Sequence, residues 1–154
     1  VSGIWNDMNE PALKMGKTTE PLDEDITHVD GSHLRYRNLY GNLEAKATNE
    51  AFSVWKPGQR PFVLTRSAFS GIQKYAALWT GDNHSSWAHL RDNLYQIVNL
   101  GLCGVPFSGA DVGGFGSRSG KLGALKLRRQ PELFQRWVEL GSLMPFLAPP
   151  ETRL

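Results

Sequence analysis

Two short stretches hold carboxylates among side chains that donate hydrogen bonds or stack: GIWNDMNEP at residues 3–11 and WTGDN at 79–83. The first carries Asp7 and Glu10 beside Trp5, Met8 and two asparagines; the second carries Asp82 beside Trp79 and Asn83. RPFVLTRS places Arg66 between them, and GVPFSGADVGGF places Asp111 and Phe115 beyond them. A pair of carboxylates with aromatic platforms and an arginine suits cleavage of glycosidic bonds. One acid protonates the leaving oxygen, and the other attacks or stabilises the oxocarbenium-like carbon. A carboxyl separation of about 5–5.5 Å goes with retention and a wider one with inversion; the sequence does not give that distance.

Such residues need elements to position them. VSGIW (1–5), PFVLT (61–65), AALW (76–79) and GVPFSG (104–109) read as strands, with MPFLAPP as a last one. NLEAKATNEAFSVW (42–55) reads as a helix closed by Pro57-Gly58. SSWAHLRDNLYQIVNLGL (85–102) is the clearest helix: Trp87, Leu90, Leu94, Ile97, Val98 and Gly101 fall at helical spacing, and Ser85 or Ser86 supplies the cap. PELFQRWVELGSLM (131–144) is a third, with Pro131 in its first turn and Leu133, Phe134, Trp137, Val138 and Leu140 as its apolar set. Residues 12–38 are polar, with Pro21, Gly31 and the acidic cluster Asp23, Glu24 and Asp25, and read as a long loop with one turn of helix.

Strand, loop and helix in repetition predict an α/β fold with a parallel sheet. The strands are continuous apolar runs, as strands buried on both faces should be. In such sheets the chemistry sits just past the carboxyl ends of the strands. Asn6-Asp7 follows the first strand, Arg66-Ser67 the second, Thr80-Gly81-Asp82-Asn83 the third and Ala110-Asp111 the fourth. Successive strand ends therefore carry Asp, Arg, Asp and Asp, and two of the strands end in tryptophan.

The 154 residues are enough for a sizeable core. A net charge of +2 is too small to argue for a nucleic acid or a membrane surface. No apolar run is long enough to span a bilayer, and Val1 starts directly in a strand-like segment without a signal-peptide pattern. The lone Cys103 cannot form an internal disulfide, and its apolar surroundings predict a small buried side chain. His28, His33, His84 and His89 share no ligand spacing, so no metal site is expected. GSRSGKLGALKLRRQ (116–130) carries five Lys or Arg and no acid, and reads as a solvated insertion rather than a nucleic-acid surface.

Taken together, GIWNDMNEP, RPFVLTRSAFSGIQKYAALWTGDN and GVPFSGADVGGF resemble, in order and near spacing, the signature segments of glycoside hydrolase family 31, the α-glucosidases and their relatives. RNLYGNLEAKATNEAF and PELFQRWVELGSLMPF resemble two further helical segments, so the likeness runs over residues 1–115 and 131–146. It implies a partial (β/α)8 TIM barrel, approximately strands 4 to 8 with the intervening helices, over residues 1–154. By position it implies Asp7 as nucleophile and Asp82 as general acid/base. Arg66 would contact the bound sugar, Trp79 would form an aromatic wall, and Asp111 would hydrogen-bond sugar hydroxyls. Trp5, Met8 and Phe115 match lining positions, Glu10 an orienting group, and Asn83 a support for Asp82. The implied reaction retains configuration through a covalent glycosyl-enzyme intermediate, without a cofactor. Asp7 has to be ionised to attack, and Asp82 has to carry a proton to give.

WNDMNE resembles the α-glucosidase rather than the α-xylosidase branch, which implies an α-glucoside or oligosaccharide substrate. Two departures stand out: Arg37 occupies a position where relatives commonly have His before NLYG, and LAPPETRL stands where relatives run into an Arg-Asn-His stretch. A half barrel would expose two sheet edges and one face. The expected partner is therefore a second copy in a symmetric dimer or the remainder of the barrel. A sugar-binding or structural half-barrel module without turnover is the competing reading.

Overall fold

In the computed structural model, which describes residues 2–15, 18–21, 23, 25–116 and 130–148, the opening apolar run forms β1 (Ile4–Asn6). Two antiparallel hairpins follow, β2 (Ala12–Met15) with β3 (Thr18–Pro21), and β4 (Thr27–His28) with β5 (Gly31–Ser32). A short helix α1 (His33–Tyr36) and a 3-10 turn lead into α2 (Tyr40–Trp55). Then come β6 (Val63–Thr65), β7 (Ala77–Trp79), α3 (Trp87–Leu102), β8 (Ser108–Asp111), α4 (Pro131–Gly141) and β9 (Phe146–Ala148). The chain divides into two compact units, Val1–Leu78 and Trp79–Leu154, with the division falling inside β7.

In the first unit β1 and β6 pair in parallel, Ile4 opposite Val63 and Asn6 opposite Thr65. β6 pairs in parallel with the start of β7, Thr65 opposite Leu78. Helix α2 is the crossover between β1 and β6. It buries Ala45 and Phe52, and its Asn42 closes the loop after β6. Asn42 Nδ2 donates to the carbonyls of Phe69 and Ser70 (3.2 and 3.0 Å), and its Oδ1 accepts the Phe69 N–H (2.8 Å).

The long loop expected over 12–38 is not what forms there. Its threonines are good strand formers, and Val29-Asp30 turns β4 back onto β5 with Gly31 at a φ of 150°. Runs of two to four residues are too short to show a period, so hairpins of this size look like polar loop in the sequence. The turn also brings His28 Nε2 and His33 Nδ1 to 3.0 Å, a contact that spacing alone did not suggest.

In the second unit Ala110 and Val112 pack with Leu133 and Trp137 of α4, and Leu90 and Met144 lie against them. β8 and β9 pair in parallel, Gly109 opposite Phe146 and Asp111 opposite Ala148. The strand expected at 104–109 begins only at Ser108. The end of α3 takes up the residues before it. The Val105 N–H donates to the Leu100 carbonyl (2.8 Å), and Gly104 sits at a φ of 80°, the left-handed turn that closes a helix. Asp111 is therefore the last residue of its strand rather than a residue beyond it. Cys103 falls in the same cap and is exposed, not buried as its apolar neighbours suggested.

Helix α3 is capped by Ser86, whose Oγ accepts the His89 N–H (3.2 Å). Trp87, Leu94 and Val98, three of the residues at helical spacing, are exposed; the line Leu90, Asn93 and Ile97 turns inward. Helix α4 stops at Gly141, three residues short of expectation; Leu133 and Trp137 are buried while Phe134 and Val138 stay exposed. Of the basic stretch 116–130, residues 117–129 lie outside the described residues. Among the described residues no helix is long and apolar enough to cross a membrane.

The side chain of Trp137 is fully buried. Trp137→Ala is expected to lose about 3–5 kcal/mol of stability, measured by urea denaturation. Leu143→Ala, at an exposed position, is expected to change it by less than about 0.5 kcal/mol.

Candidate active site

The register of β1 against β6 fixes the first half of the candidate site. Asn6 and Thr65 are partners, so Asp7 and Arg66 leave their strands side by side, and the Arg66 N–H donates to the Asn6 carbonyl (3.1 Å). The Arg66 guanidinium reaches both acids of the motif. Its Nε and Nη2 donate to the two oxygens of Glu10 (2.8 and 3.1 Å), a fork-to-fork pair. Nη1 lies 2.9 Å from Asp7 Oδ1, and Nη2 also contacts the Met8 sulfur (2.8 Å). The Arg66 side chain is 16% exposed and that of Asp7 40%. Hydrogen bonding from Arg66 holds the Glu10 carboxyl below the ordinary value of 4.5, outweighing a smaller desolvation effect in the other direction.

Met8 sits at a φ of 58°, an uncommon conformation for a side-chain-bearing residue. Its N–H meets Asp7 Oδ1 at 2.8 Å. Beneath this turn lies a residue the sequence reading passed over. Asn9 is 2% exposed; its Nδ2 donates to Thr65 Oγ1 (2.8 Å) and its Oδ1 accepts the Ser67 N–H (2.9 Å). Asn6 Nδ2 likewise donates to Thr48 Oγ1 on α2 (3.1 Å). The only available signal was the pair of asparagines flanking Asp7. Trp5 is more than half exposed.

The second unit carries the remaining candidates. Trp79 ends β7 and is buried. The Thr80 N–H donates to the Gly109 carbonyl (3.0 Å), Gly81 turns at a φ of 77°, and Asp82 is exposed. Asn83 is buried; its Nδ2 donates to Thr80 Oγ1 (2.6 Å) and Asn93 Oδ1 (3.1 Å). The Asn83 carbonyl accepts the N–H groups of Phe115 and Gly116 (2.8 and 3.2 Å), which laces the WTGDN loop to the turn after Asp111. That turn requires Gly114: its φ is 82°, and an added Cβ would lie 2.6 Å from the Ser85 nitrogen. Asp111 is partly buried at the end of β8, and Phe115 is exposed. Asn93 and His89, which bond this loop from α3, were also missed; a polar residue in line with Leu90 and Ile97 was the signal.

Among the described residues no group of three His, Cys, Asp or Glu is placed to hold a metal ion. What these strand ends offer is two carboxylates paired to one arginine in the first unit, and an exposed and a partly buried carboxylate in the second.

Residues 1–151 match the family model described as the glycosyl hydrolases family 31 TIM-barrel domain. The chain is 43% identical over 150 residues to "Alpha-glucosidase 2" of Bacillus thermoamyloliquefaciens, covering 95% of this chain and 18% of that protein. It is 40% identical over 145 residues to "Neutral alpha-glucosidase AB" of Sus scrofa, covering 93% of this chain and 14% of that protein. It thus spans less than a fifth of the length of these curated relatives. Among solved structures it is similar to a family 31 alpha-glucosidase from Bacteroides thetaiotaomicron, with a TM-score of 0.75 and 39% identity over 99% of this chain and 22% of that one.

The lowered pKa of Glu10 ties stability to pH. The folded chain holds this proton less readily than the unfolded chain, so the contribution is complete above about pH 4.5 and fades as pH falls through the folded value. Glu10→Gln is expected to lower the stability at pH 7, measured by urea denaturation, by at most about 1 kcal/mol, since the pair is partly exposed. The difference from the unmutated chain should close as pH falls well below 4.5. A gap that stays constant down to strong acid would contradict this account.

Proposed function

The chain belongs to glycosyl hydrolase family 31, and on that premise we propose that it is part of a retaining α-glucosidase. It corresponds to approximately strands 4 to 8 of a (β/α)8 barrel, a partial catalytic domain over residues 1–154. Asp7 is the nucleophile and Asp82 the general acid/base. Arg66 and Asp111 bind sugar hydroxyls, while Trp5, Met8, Trp79 and Phe115 line the sugar site. Glu10 holds Arg66, and Asn83 steadies the loop that carries Asp82. The substrate is an α-glucoside or oligosaccharide, and the reaction needs no cofactor.

The observation that carries this reading is the state of Asp7. Both of its partners, the Met8 N–H that donates to it and the Arg66 Nη1 that ion-pairs with it, lie at Oδ1. Among the described residues Oδ2 receives no hydrogen bond, which leaves that oxygen to attack. In the first step Oδ2 bonds to the anomeric carbon as the glycosidic C–O bond breaks, and Asp82 gives its proton to the departing oxygen. In the second, water attacks the same carbon while Asp82 takes a proton from it, and the ester bond to Asp7 breaks. Names of relatives similar to this chain support the substrate class: alpha-glucosidase appears in both curated relatives and in the solved structure.

Release of p-nitrophenol from p-nitrophenyl α-glucoside by the purified chain tests the reading. Where the chain assembles a working site, Asp82→Ala lowers turnover about 10²–10⁴-fold, and Asp7→Ala loses at least as much. A folded chain that binds glucose without turnover would favour a sugar-binding module and sink the enzymatic reading of this chain.

A further inference from the structure

We infer that Asn93 and His89, two side chains of α3, are positioning residues for the loop that carries Asp82; this rests on the reading of Asp82 as general acid/base. Asp82 is exposed, but the residues around it are tied to α3. Thr80 Oγ1 donates to Asn93 Oδ1 (2.7 Å), and Asn83 Nδ2 donates to the same oxygen (3.1 Å). One acceptor therefore gathers the residue two before Asp82 and the residue one after it. Asn93 is 1% exposed, and its Nδ2 donates to the His89 carbonyl one turn back (2.8 Å). That bond decides which end of the amide faces the loop: only the oxygen is left for Thr80 and Asn83.

His89 makes the third tie. Its Nδ1 accepts the His84 N–H (3.0 Å), so the ring proton resides on Nε2. The His84 and His89 rings meet edge to face at 4.8 Å between centroids, and the His89 N–H is itself capped by Ser86. Helix α3 is 16 residues long and is anchored by Leu90 against the core of Ala110, Val112, Leu133 and Trp137. The loop thus takes its position from the side chains of a packed helix as well as from backbone hydrogen bonds. A general acid acts only if its proton lies within hydrogen-bond reach of the leaving oxygen, so loosening these ties should impair proton donation more than sugar binding.

The test uses the whole chain with Asn93→Leu, His89→Phe and His89→Gln, beside Asp82→Ala. Amide exchange followed by NMR is expected to rise about tenfold or more at Asn83 and His84 in the first two variants, with the α3 interior unchanged. The glutamine oxygen can accept the same N–H, so His89→Gln should exchange like the unmutated chain. Rates on two leaving groups supply the second readout. An activated aryl glucoside needs little acid help and an alkyl glucoside much, so kcat/KM, which reads the first step alone, should fall about tenfold more on the alkyl substrate than on the aryl one. Unchanged exchange at Asn83 and His84 overturns the inference whatever happens to the rates. Increased exchange with equal losses on both substrates overturns it too, because the ties would then serve stability alone. Should Asp82→Ala itself show no preference between leaving groups, the role of Asp82 has failed, and the exchange data alone decide whether the ties exist.

Discussion

Arg66 commits two parallel N–H groups to Glu10 and turns a third nitrogen to Asp7. The fork to Glu10 fixes the plane of the guanidinium, so Asp7 is met at one oxygen and from one side. A lysine at this position could not do this, because an ammonium has no plane to fix and would settle between the two acids as a point charge. Without Glu10 the guanidinium could close over Asp7 in a fork of its own and occupy both oxygens. The arrangement is set in turn by backbone register. Asp7 and Arg66 each follow a residue of the Asn6–Thr65 pair, and a slip of one residue would send one of them to the other face of the sheet.

The loops that present these groups are held by a recurring device. Asn9 ties the loop after β1 to Thr65 and Ser67; Asn42 on α2 ties the loop after β6; Asn93 on α3 ties the loop after β7. A side-chain amide carries a donor and an acceptor like a peptide group, so one buried asparagine can replace the strand pairing that a chain gives up where it leaves a sheet. Buried polar groups left unpaired are costly, and that cost makes each tie specific: the loop either satisfies the amide or leaves it stranded. Apolar packing could hold the same loops in place but would tolerate small displacements.

The sequence made the order of strands and helices legible, together with the acids and the arginine at strand ends, because continuous apolar runs and helical spacing extend over many residues. It did not reveal the hairpins within 12–38, whose strands are two to four residues long. It misplaced β8 because a helix cap built on Gly104 uses backbone hydrogen bonds that leave no apolar period. On α3 the apolar residues marked a helix correctly but not its buried face. The inward line holds Asn93, and a polar residue is inward only because Thr80 and Asn83 meet it there. Such pairings join residues that are far apart or differently spaced in sequence, and no local pattern announces them.

Exposure and burial divide the labour in a consistent way. Asp7, Glu10 and Asp82 are exposed, whereas Asn6, Asn9, Thr65, Asn83 and Asn93 are buried. A reacting carboxylate has to be reachable by substrate, and a carboxylate sunk into an apolar interior would be hard to keep ionised. Geometric control must therefore come from neutral groups that tolerate burial when paired. Asparagine and threonine meet that requirement, since they carry no charge to desolvate and their hydrogen bonds are directional. A family shares a fold more readily than it shares a chemistry, but within each unit the satisfied neutral amides beside exposed acids do more than stabilise a fold. They restrict where each acid can be, because a buried amide that loses its partner is costly.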